Sequence, residues 1–356
     1  MQLFKCQHCD QVVYFENTAC TRCNSRLGYL PDLAQLSAVT PDGGNWIAHA
    51  DPGPRYRFCR NWELNACNWM LPAGDGETYC RACRHNRTIP NLAEADNREH
   101  WRKIETAKRR LFYTLLRLRL PMPTAASGDP EPLEFDFLAD QPGAKKKVIT
   151  GHASGLITIA LTEADDATRE AARVRMGEPY RTLLGHFRHE VGHYYWDKLV
   201  RDGGDEELAR YRDLFGDERA SYADALTRHY ENGAPDDWQQ AFVSSYATMH
   251  PWEDWAETWA HYLHIVDTLE MAAAFGIRID PDITDDDAMT TEIGFDPHRV
   301  ADIQRLIDAW LPLTYAVNSL NRAMGQPDLY PFVIRKPVVD KMAYIHGLIR
   351  RARRAL

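Results

Sequence analysis

The sequence predicts an α+β protein in which small cysteine-rich modules precede a larger, mostly helical domain. All eight cysteines fall before residue 84. Two runs, LEFDFLA and GLITIALTE, have the alternation or the β-branched content of strands. From residue 179 onward, apolar residues recur mostly at helical spacing. We expect three segments: a zinc-ribbon region with two four-cysteine zinc sites at 1–92, a basic helix and linker at 93–130, and the main domain at 131–356.

The composition excludes several broad classes of protein. With 356 residues, of which 44% are hydrophobic and 26% charged, the chain has the make-up of a folded globular protein. Its net charge of −9 disfavours general affinity for nucleic acid. No apolar run approaches the roughly 20 residues that cross a bilayer, and the start MQLFKCQHCDQ lacks the features of a signal peptide. We expect a cytoplasmic protein without a membrane segment.

The cysteines form two sets of four. Two C-x-x-C pairs in the first set are close enough in sequence to surround one tetrahedral zinc ion, whereas the second set has one such pair and wider spacing. Disulfides or free thiols are the alternative, and disulfides fit poorly with a cytoplasmic chain. Zinc would also supply folding energy to this region. The sets are Cys6, Cys9, Cys20 and Cys23 for structural zinc 1, and Cys59, Cys67, Cys80 and Cys83 for structural zinc 2.

The segment HFRHEVGHYYWDKL carries the pattern H-E-x-x-H. On a helix, residues four apart lie one above the other, so His189 and His193 can offer ring nitrogens to one zinc ion. Glu190 can then take a proton from a water at that ion, as a general base does. The alternative is an ordinary amphipathic helix, because a five-residue pattern also occurs by chance.

The surrounding residues favour a buried helix. Pro179 stands at a plausible first helical position. Gly192, directly before His193, costs about 1 kcal/mol in a helix relative to alanine. It therefore indicates close approach of another backbone or side chain. Apolar residues recur at helical spacing at Leu183, Leu184, Phe187, Val191, Tyr194 and Leu199.

A catalytic zinc usually has three protein ligands, so a third ligand is expected downstream. In HPWEDWAETWAHYLH, Glu253 and Glu257 stand one helical turn apart. One of them can bind zinc while the other accepts a hydrogen bond from a ligating histidine and fixes its ring. A solvated acidic helix face is the alternative. Asp217 and Glu218 in FGDERASYAD are rival third ligands.

These motifs resemble those of the gluzincin metallopeptidases, in which a second glutamate-bearing helix follows the H-E-x-x-H helix. By that resemblance Glu253 matches the metal ligand and Glu257 the residue that orients a histidine. The chain also resembles, over nearly its full length, a bacterial family of zinc-binding metallopeptidases with an N-terminal zinc-ribbon region. The resemblance implies a zincin-like main domain. It rests on CQHC, CTRC, TGHASGLITIALTEAD, EPYRTLLGHFRHEVGHYYW, HPWEDWAETWAHYLHIVD and NRAMGQPDLYPF.

Three further features are candidates for function. In the zincin-like fold an edge strand beside the metal pairs with the substrate backbone, and Gly155 to Leu161 is a candidate for it, with a buried core strand as the alternative. The basic helix can be solvated on one face or can bind an acidic partner or RNA. Candidates to donate a hydrogen bond to the reaction's oxyanion are His152, Tyr246 and His250.

The predicted activity is zinc-dependent hydrolysis of peptide or isopeptide amide bonds. Zinc polarises the carbonyl, and Glu190 activates a zinc-bound water and then protonates the leaving amine. We expect one catalytic and two structural zinc ions, a peptide or protein substrate, and a protein partner held through the ribbons. One alternative is a non-catalytic zinc-ribbon adaptor that binds protein or RNA, although a scaffold has no need of Glu190. Another is a zinc hydrolase of a non-peptide amide.

Overall fold

The computed structural model describes residues 2–141, 143, 147–176, 181–284 and 286–355. The chain forms two compact units. Unit 1 comprises Met1–Arg117 and Met122–Arg169, and unit 2 comprises Leu118–Pro121 and Glu170–Leu356. The predicted α+β class is confirmed, because the N-terminal region is rich in strands and the C-terminal region is mostly helical.

The N-terminal part of unit 1 is built from short antiparallel strands. The first two strands form a hairpin, and the next five form one sheet in sequence order, each paired with its neighbour. The strands are β1 (Phe4–Lys5), β2 (Val12–Val13), β3 (Arg26–Leu30), β4 (Gln35–Asp42), β5 (Asn45–Ala48), β6 (Asp51–Phe58) and β7 (Met70–Pro72).

The rest of unit 1 is a long helix and a second, mixed sheet. The sheet has the order β10-β11-β9-β8, in which β8, β9 and β11 run parallel and β10 is antiparallel. The elements are β8 (Asn86–Thr88), α1 (Ala95–Leu118), β9 (Glu134–Leu138), β10 (Gly151–Ala153) and β11 (Leu156–Ala160).

An aromatic cluster joins the ribbon region to α1. The ring of Phe15 lies 4.8 Å from that of Tyr29 and 5.5 Å from that of Tyr113 on α1, and Trp69 lies 5.0 Å from Tyr29. The strand β8, which follows the last cysteine, pairs with β9. In the structure, α1 and β9 belong to the same compact unit as the ribbon region.

The basic residues of α1 are largely used inside unit 1. Lys108 is fully buried and lies 3.0 Å from the Glu105 carboxylate. Arg109 is buried and donates to the carbonyl of Ala66, and Arg110 pairs with Glu16 at 2.5 Å. Lys108, Arg109 and Arg110 are therefore engaged within unit 1.

The run GLITIAL does form a strand, but not at a sheet edge. β11 pairs with β10 on one side and with β9 on the other, and Ile157 and Ile159 are fully buried. Both sides of its backbone are therefore occupied, and the expectation that this run pairs with substrate is wrong. The alternative, a buried core strand, describes it.

Unit 2 consists mainly of helices, as the sequence predicts. The chain enters it along the second helix, which begins in unit 1. The elements are α2 (Asp166–Met176), α3 (Leu183–Trp196), α4 (Asp205–Phe215), α5 (Tyr222–Asn232), α6 (Pro251–Ala274), β12 (Arg278–Ile279), β13 (Thr291–Glu292), α7 (Ile303–Ala323) and α8 (Lys336–Ala355). No helix in the described part of the chain is long and apolar enough to cross a membrane.

The helix α3 begins at a threonine cap. The Thr182 hydroxyl accepts a hydrogen bond from the Gly185 amide at 3.0 Å, which satisfies a free donor of the first turn. Pro179, the predicted start, lies outside the described residues. After Trp196 the helix continues as a π-helical turn at Asp197–Arg201.

α3 and α6 approach each other closely at Gly192, as the sequence indicates. A Cβ atom on Gly192 would lie 3.1 Å from the Cα of Ala256 and 3.2 Å from the Trp259 ring. The indole N–H of Trp255 also donates to the Gly192 carbonyl at 2.8 Å. Only glycine lets the two backbones reach this separation without displacing a neighbour.

A buried histidine stabilises the C-terminal half of α6. His298 is fully buried, with Nε2 3.4 Å from Asp267 and Nδ1 3.4 Å from Glu270 and 3.7 Å from Asp296. Arg188 of α3 also pairs with Asp267. Each ring nitrogen faces a different carboxylate, which is the arrangement of a protonated imidazole with two N–H donors. Burial alone would lower the pKa of His298, but these carboxylates raise it above its ordinary value.

This geometry predicts a pH-dependent contribution to stability. Because the folded pKa of His298 is raised, its contribution is complete below about pH 6.5 and is lost as the pH rises through the folded pKa. His298→Gln should lower the free energy of unfolding by about 3 kcal/mol at pH 6, since it removes a buried positive charge from beside buried carboxylates. Thermal unfolding of both proteins from pH 6 to pH 9 should show the difference shrinking. A constant or growing difference would contradict the assignment.

Candidate metal centre

Two helices bring three metal-type donors together in unit 2. His189 and His193 lie one turn apart on α3, and Glu253 lies in the first turn of α6. The two histidine Nε2 atoms are 3.2 Å apart. The Oε2 atom of Glu253 lies 2.9 Å from Nε2 of His189 and 3.5 Å from Nε2 of His193. The donors therefore face one point between the helices.

These separations suit a zinc ion. Zinc binds histidine nitrogen and carboxylate oxygen at roughly 2.0 to 2.2 Å, so the donors of a tetrahedral site lie about 3.3 Å from one another. The observed separations of 2.9, 3.2 and 3.5 Å bracket that value. Two imidazoles and one carboxylate are also a donor set that zinc accepts with a fourth position left open. His189, His193 and Glu253 thus fit the metal.

Glu257 holds the ring of His189 in place. The Nδ1–H of His189 donates to Oε1 of Glu257 at 2.7 Å, which leaves Nε2 of the histidine for the metal. The hydroxyl of Ser244 donates to Oε2 of the same carboxylate at 2.6 Å. Both oxygens of Glu257 are thereby engaged, and it is Glu253 whose oxygen lies between the histidines.

A tyrosine that sequence reasoning missed also contacts the centre. The hydroxyl of Tyr222, the first residue of α5, donates to Oε1 of Glu253 at 2.8 Å. Tyr246 lies nearby, with its ring 6.1 Å from that of His189. Burial and the charge of Glu253 raise the pKa of Tyr246, so its phenol stays protonated and can act as a hydrogen-bond donor.

The field at the centre favours positive charge. Burial would lower the pKa of His189, but its hydrogen bonds to Glu253 and Glu257 raise it well above its usual value. Burial would raise the pKa of Glu253, but the two histidines hold it well below its usual range. Against the effect of burial, His189 likewise lowers the pKa of the partly buried Glu257. Two carboxylates that remain ionised away from bulk water are a reason for a cation to bind here.

Glu190 lies apart from the three donors. It follows His189 on α3, is buried, and does not belong to the donor group. Within the described part of the chain its carboxylate has no hydrogen-bond or ion-pair partner. Burial, Glu253 and, to a smaller extent, the charge of Glu190 raise the pKa of Tyr222.

Other predicted site residues are placed elsewhere. Asp217 pairs with Arg219 at 2.7 Å and Glu218 with Arg212 at 2.5 Å, so arginines occupy both rival third ligands. The donor group contains Glu253 and neither of these two residues, so the alternative in which Asp217 or Glu218 is the third ligand is wrong.

The side chains of two of the three oxyanion candidates form hydrogen bonds with backbone groups. His250 caps α6 by accepting from the Trp252 amide at 3.1 Å, and its Nε2 lies 3.0 Å from the Ala220 carbonyl. Both ring nitrogens of His250 are thus engaged with the backbone, and no N–H group of His250 is left to donate to an oxyanion. His152 lies on β10 in unit 1, where its Nε2 accepts from the Gly155 amide at 3.2 Å.

The first cysteine set converges in the N-terminal hairpin region. Its sulfur atoms lie within 4.8 Å of one another, with Cys6 and Cys23 at 3.6 Å and Cys9 and Cys20 at 3.5 Å. Four sulfurs around zinc, each bonded at about 2.3 Å, lie roughly 3.8 Å apart. Disulfide sulfurs lie about 2.05 Å apart, so the observed spacing is that of metal ligands.

The second cysteine set also converges and is fully buried. Cys67 and Cys80 lie 3.7 Å apart, and all four sulfurs lie within 4.8 Å of one another. Cys83 lies 3.6 Å from the buried carboxylate of Glu105, which Lys108 neutralises. The cationic side chain of Arg109 is buried close by. The wider sequence spacing of this set therefore does not prevent a compact cluster.

Comparison with known proteins agrees with these sites. The model of a family described as "Putative zinc-binding metallo-peptidase" matches residues 97–348, which is more than half of the chain. The chain belongs to this family. A zinc-ribbon model matches residues 3–94 as well. The predicted resemblance to this family, with an N-terminal zinc-ribbon region, is thereby confirmed.

Full-length relatives of this family member occur in mycobacteria. A protein of Mycobacterium bovis and proteins of two strains of Mycobacterium tuberculosis are each 41% identical to the chain over 349 residues. The similarity covers 98% of this chain and 95% of each relative, and all three are described as uncharacterized proteins. No solved structure matches the chain.

The geometry of the centre predicts an order of metal loss. Purified wild-type protein should contain three zinc ions. Glu253→Ala should contain two, because it removes a direct ligand, whereas Glu257→Ala should retain the third with an affinity lower by roughly 10- to 100-fold. Metal content by mass spectrometry and zinc affinity by chelator competition measure both effects. The reverse order, or loss of zinc in neither variant, would contradict the ligand assignment.

Proposed function

We propose that the chain is a zinc-dependent peptidase that hydrolyses peptide or isopeptide amide bonds. The observation that supports this most strongly is the convergence of His189, His193 and Glu253 around one point, with the buried carboxylate of Glu190 next to His189 in sequence on the same helix. A purely structural zinc site is closed by four protein ligands. In the described residues this group offers three, which is the composition of catalytic zinc sites of the gluzincin type.

Zinc held by these three donors supplies Lewis acidity, which polarises a substrate carbonyl and lowers the pKa of a water molecule. Glu190 takes the proton from the attacking water and later gives it to the leaving amine. His189 and His193 hold their rings in fixed orientation, the first through Glu257. The phenol of Tyr246 lies beside His189 and serves as a donor to the oxyanion.

The ribbon region has a separate part in this proposal. Its two cysteine clusters lie in unit 1, whereas the donors of the catalytic centre lie in unit 2. The ribbons therefore supply none of the ligands of the catalytic centre. We propose that they hold structural zinc ions and bind a protein partner or a protein substrate.

The role of Glu190 predicts a separation between metal binding and turnover. Glu190→Gln keeps the size of the side chain but cannot accept a proton. The variant should retain three zinc ions and the wild-type unfolding temperature while losing turnover by about 10²- to 10⁴-fold. A library of peptides from a digested bacterial proteome is incubated with each protein, and new amino termini are counted by mass spectrometry.

Glu206→Gln is the matched control. Glu206 is an exposed residue of α4, with 83% of its side chain accessible, and it pairs with Arg210 on the same helix. The Glu206→Gln variant loses one negative charge, as Glu190→Gln does, but outside the metal centre. It should cleave the peptides at the wild-type rate. Equal cleavage by Glu190→Gln and wild type would remove the catalytic role of Glu190 and would favour a non-catalytic zinc protein.

A further inference from the structure

The carboxylate of Glu253 is held at both of its oxygens. Oε2 faces the two histidines, at 2.9 and 3.5 Å from their Nε2 atoms. Oε1 accepts a hydrogen bond from the Tyr222 hydroxyl at 2.8 Å. Glu253 itself is buried, with 3% of its side chain accessible, so water does not compete freely for either oxygen. The two oxygens therefore have different partners and different roles.

The difference matters because a carboxylate can bind a metal through one oxygen or through both. Binding through both oxygens takes an additional coordination position. A catalytic zinc centre needs that position, since three protein ligands and one open site are what distinguish it from a closed structural site. A hydrogen bond donated to Oε1 occupies one of the two lone pairs of that oxygen and withdraws electron density from it, which disfavours a second bond to the metal.

We propose that Tyr222 is a positioning residue that keeps Glu253 a one-oxygen ligand and so keeps a coordination position open for the reaction. This inference rests on the proposed catalytic zinc site and adds a residue that the metal-binding motifs do not contain. The hydroxyl of Tyr222 contacts Oε1 of Glu253, the oxygen that faces away from the histidines in this arrangement. It acts through Glu253, as Ser244 acts on the neighbouring carboxylate of Glu257.

The surroundings of Tyr222 fix its hydroxyl in this position. Tyr222 begins α5 directly after Ser221, whose side chain accepts from the Asp224 amide at 3.3 Å and caps the helix. Its ring packs edge-on against His250, with 5.3 Å between the ring centroids. His250 is in turn held by backbone contacts at both ring nitrogens. The capped start of α5 and the ring of His250 thus hold the phenol of Tyr222 in position beside Glu253.

An alternative role for Tyr222 is a direct hydrogen bond to the substrate, since its side chain is partly exposed. The two roles make different predictions for the metal. A residue that only contacts substrate leaves the metal affinity and the coordination number unchanged when its hydroxyl is removed. A residue that holds Glu253 changes both.

The test is Tyr222→Phe in the full-length protein, with cobalt(II) as a spectroscopic substitute for zinc. Four-coordinate cobalt absorbs visible light more strongly than five- or six-coordinate cobalt. The absorption of cobalt bound to the cysteine sites is removed by subtracting the spectrum of Glu253→Ala, a variant that lacks the third site. We expect Tyr222→Phe to show weaker absorption at this site and a zinc dissociation constant about 10-fold higher, as for other residues that hold a ligand.

Tyr230→Phe is the control. Tyr230 lies on the same helix and is exposed, so this variant loses an identical hydroxyl and should match wild type in spectrum and affinity. An unchanged cobalt spectrum and unchanged zinc affinity in Tyr222→Phe would overturn the inference, and reduced turnover with both unchanged would assign Tyr222 to the substrate instead. Absence of any third-site cobalt signal in wild type would instead refute the proposed catalytic site.

Discussion

The arrangement of unit 2 depends on the close contact between α3 and α6 at Gly192. A methyl group there would lie 3.1 Å from the Ala256 backbone, and overpacking of this kind costs about 1 to 3 kcal/mol. The contact lies one residue before His193 and one turn after Glu253. It thereby sets the distance between the helix that carries both histidines and the helix that carries the carboxylates. The cost of glycine within a helix, about 1 kcal/mol, is consistent with a requirement for this separation.

With the helices at this distance, the chemistry of the centre is decided by how its carboxylates are held. Glu253 and Glu257 each direct one oxygen to a histidine and the other to a hydroxyl, from Tyr222 and Ser244 respectively. These hydroxyls come from outside the two helices, so the centre is assembled from four segments of unit 2. Glu190 has no such partner among the described residues. A carboxylate without a fixed partner can exchange a proton, which is what the proposed reaction requires of it.

Much of this could be read from the sequence, because the decisive spacings are local. Residues four apart on a helix share a face, so His189 with His193 and the paired C-x-x-C motifs predict converging donors from sequence alone. Tyr222 could not be predicted, since it lies 31 residues from Glu253 and only the packing of α5 brings them together. For a related reason the sequence could not decide between the alternatives for the basic residues of α1 and for the run GLITIAL. Composition does not tell whether a charged face or a strand edge is covered by another element of the fold. The capping role of His250 had a usable signal, because it stands directly before a proline at a helix start.

The most direct test of the account is a crystal structure with anomalous diffraction data collected at the zinc absorption edge. The account predicts three peaks, one in each cysteine set and one bonded to Nε2 of His189, Nε2 of His193 and Oε2 of Glu253, at about 2.0 to 2.2 Å. Glu190 should stand beside the third peak without a bond to it. Crystals in which both cysteine sites are filled and no zinc lies between α3 and α6 would contradict the central claim. So would a third zinc bonded to Glu190 or Glu257 in place of Glu253.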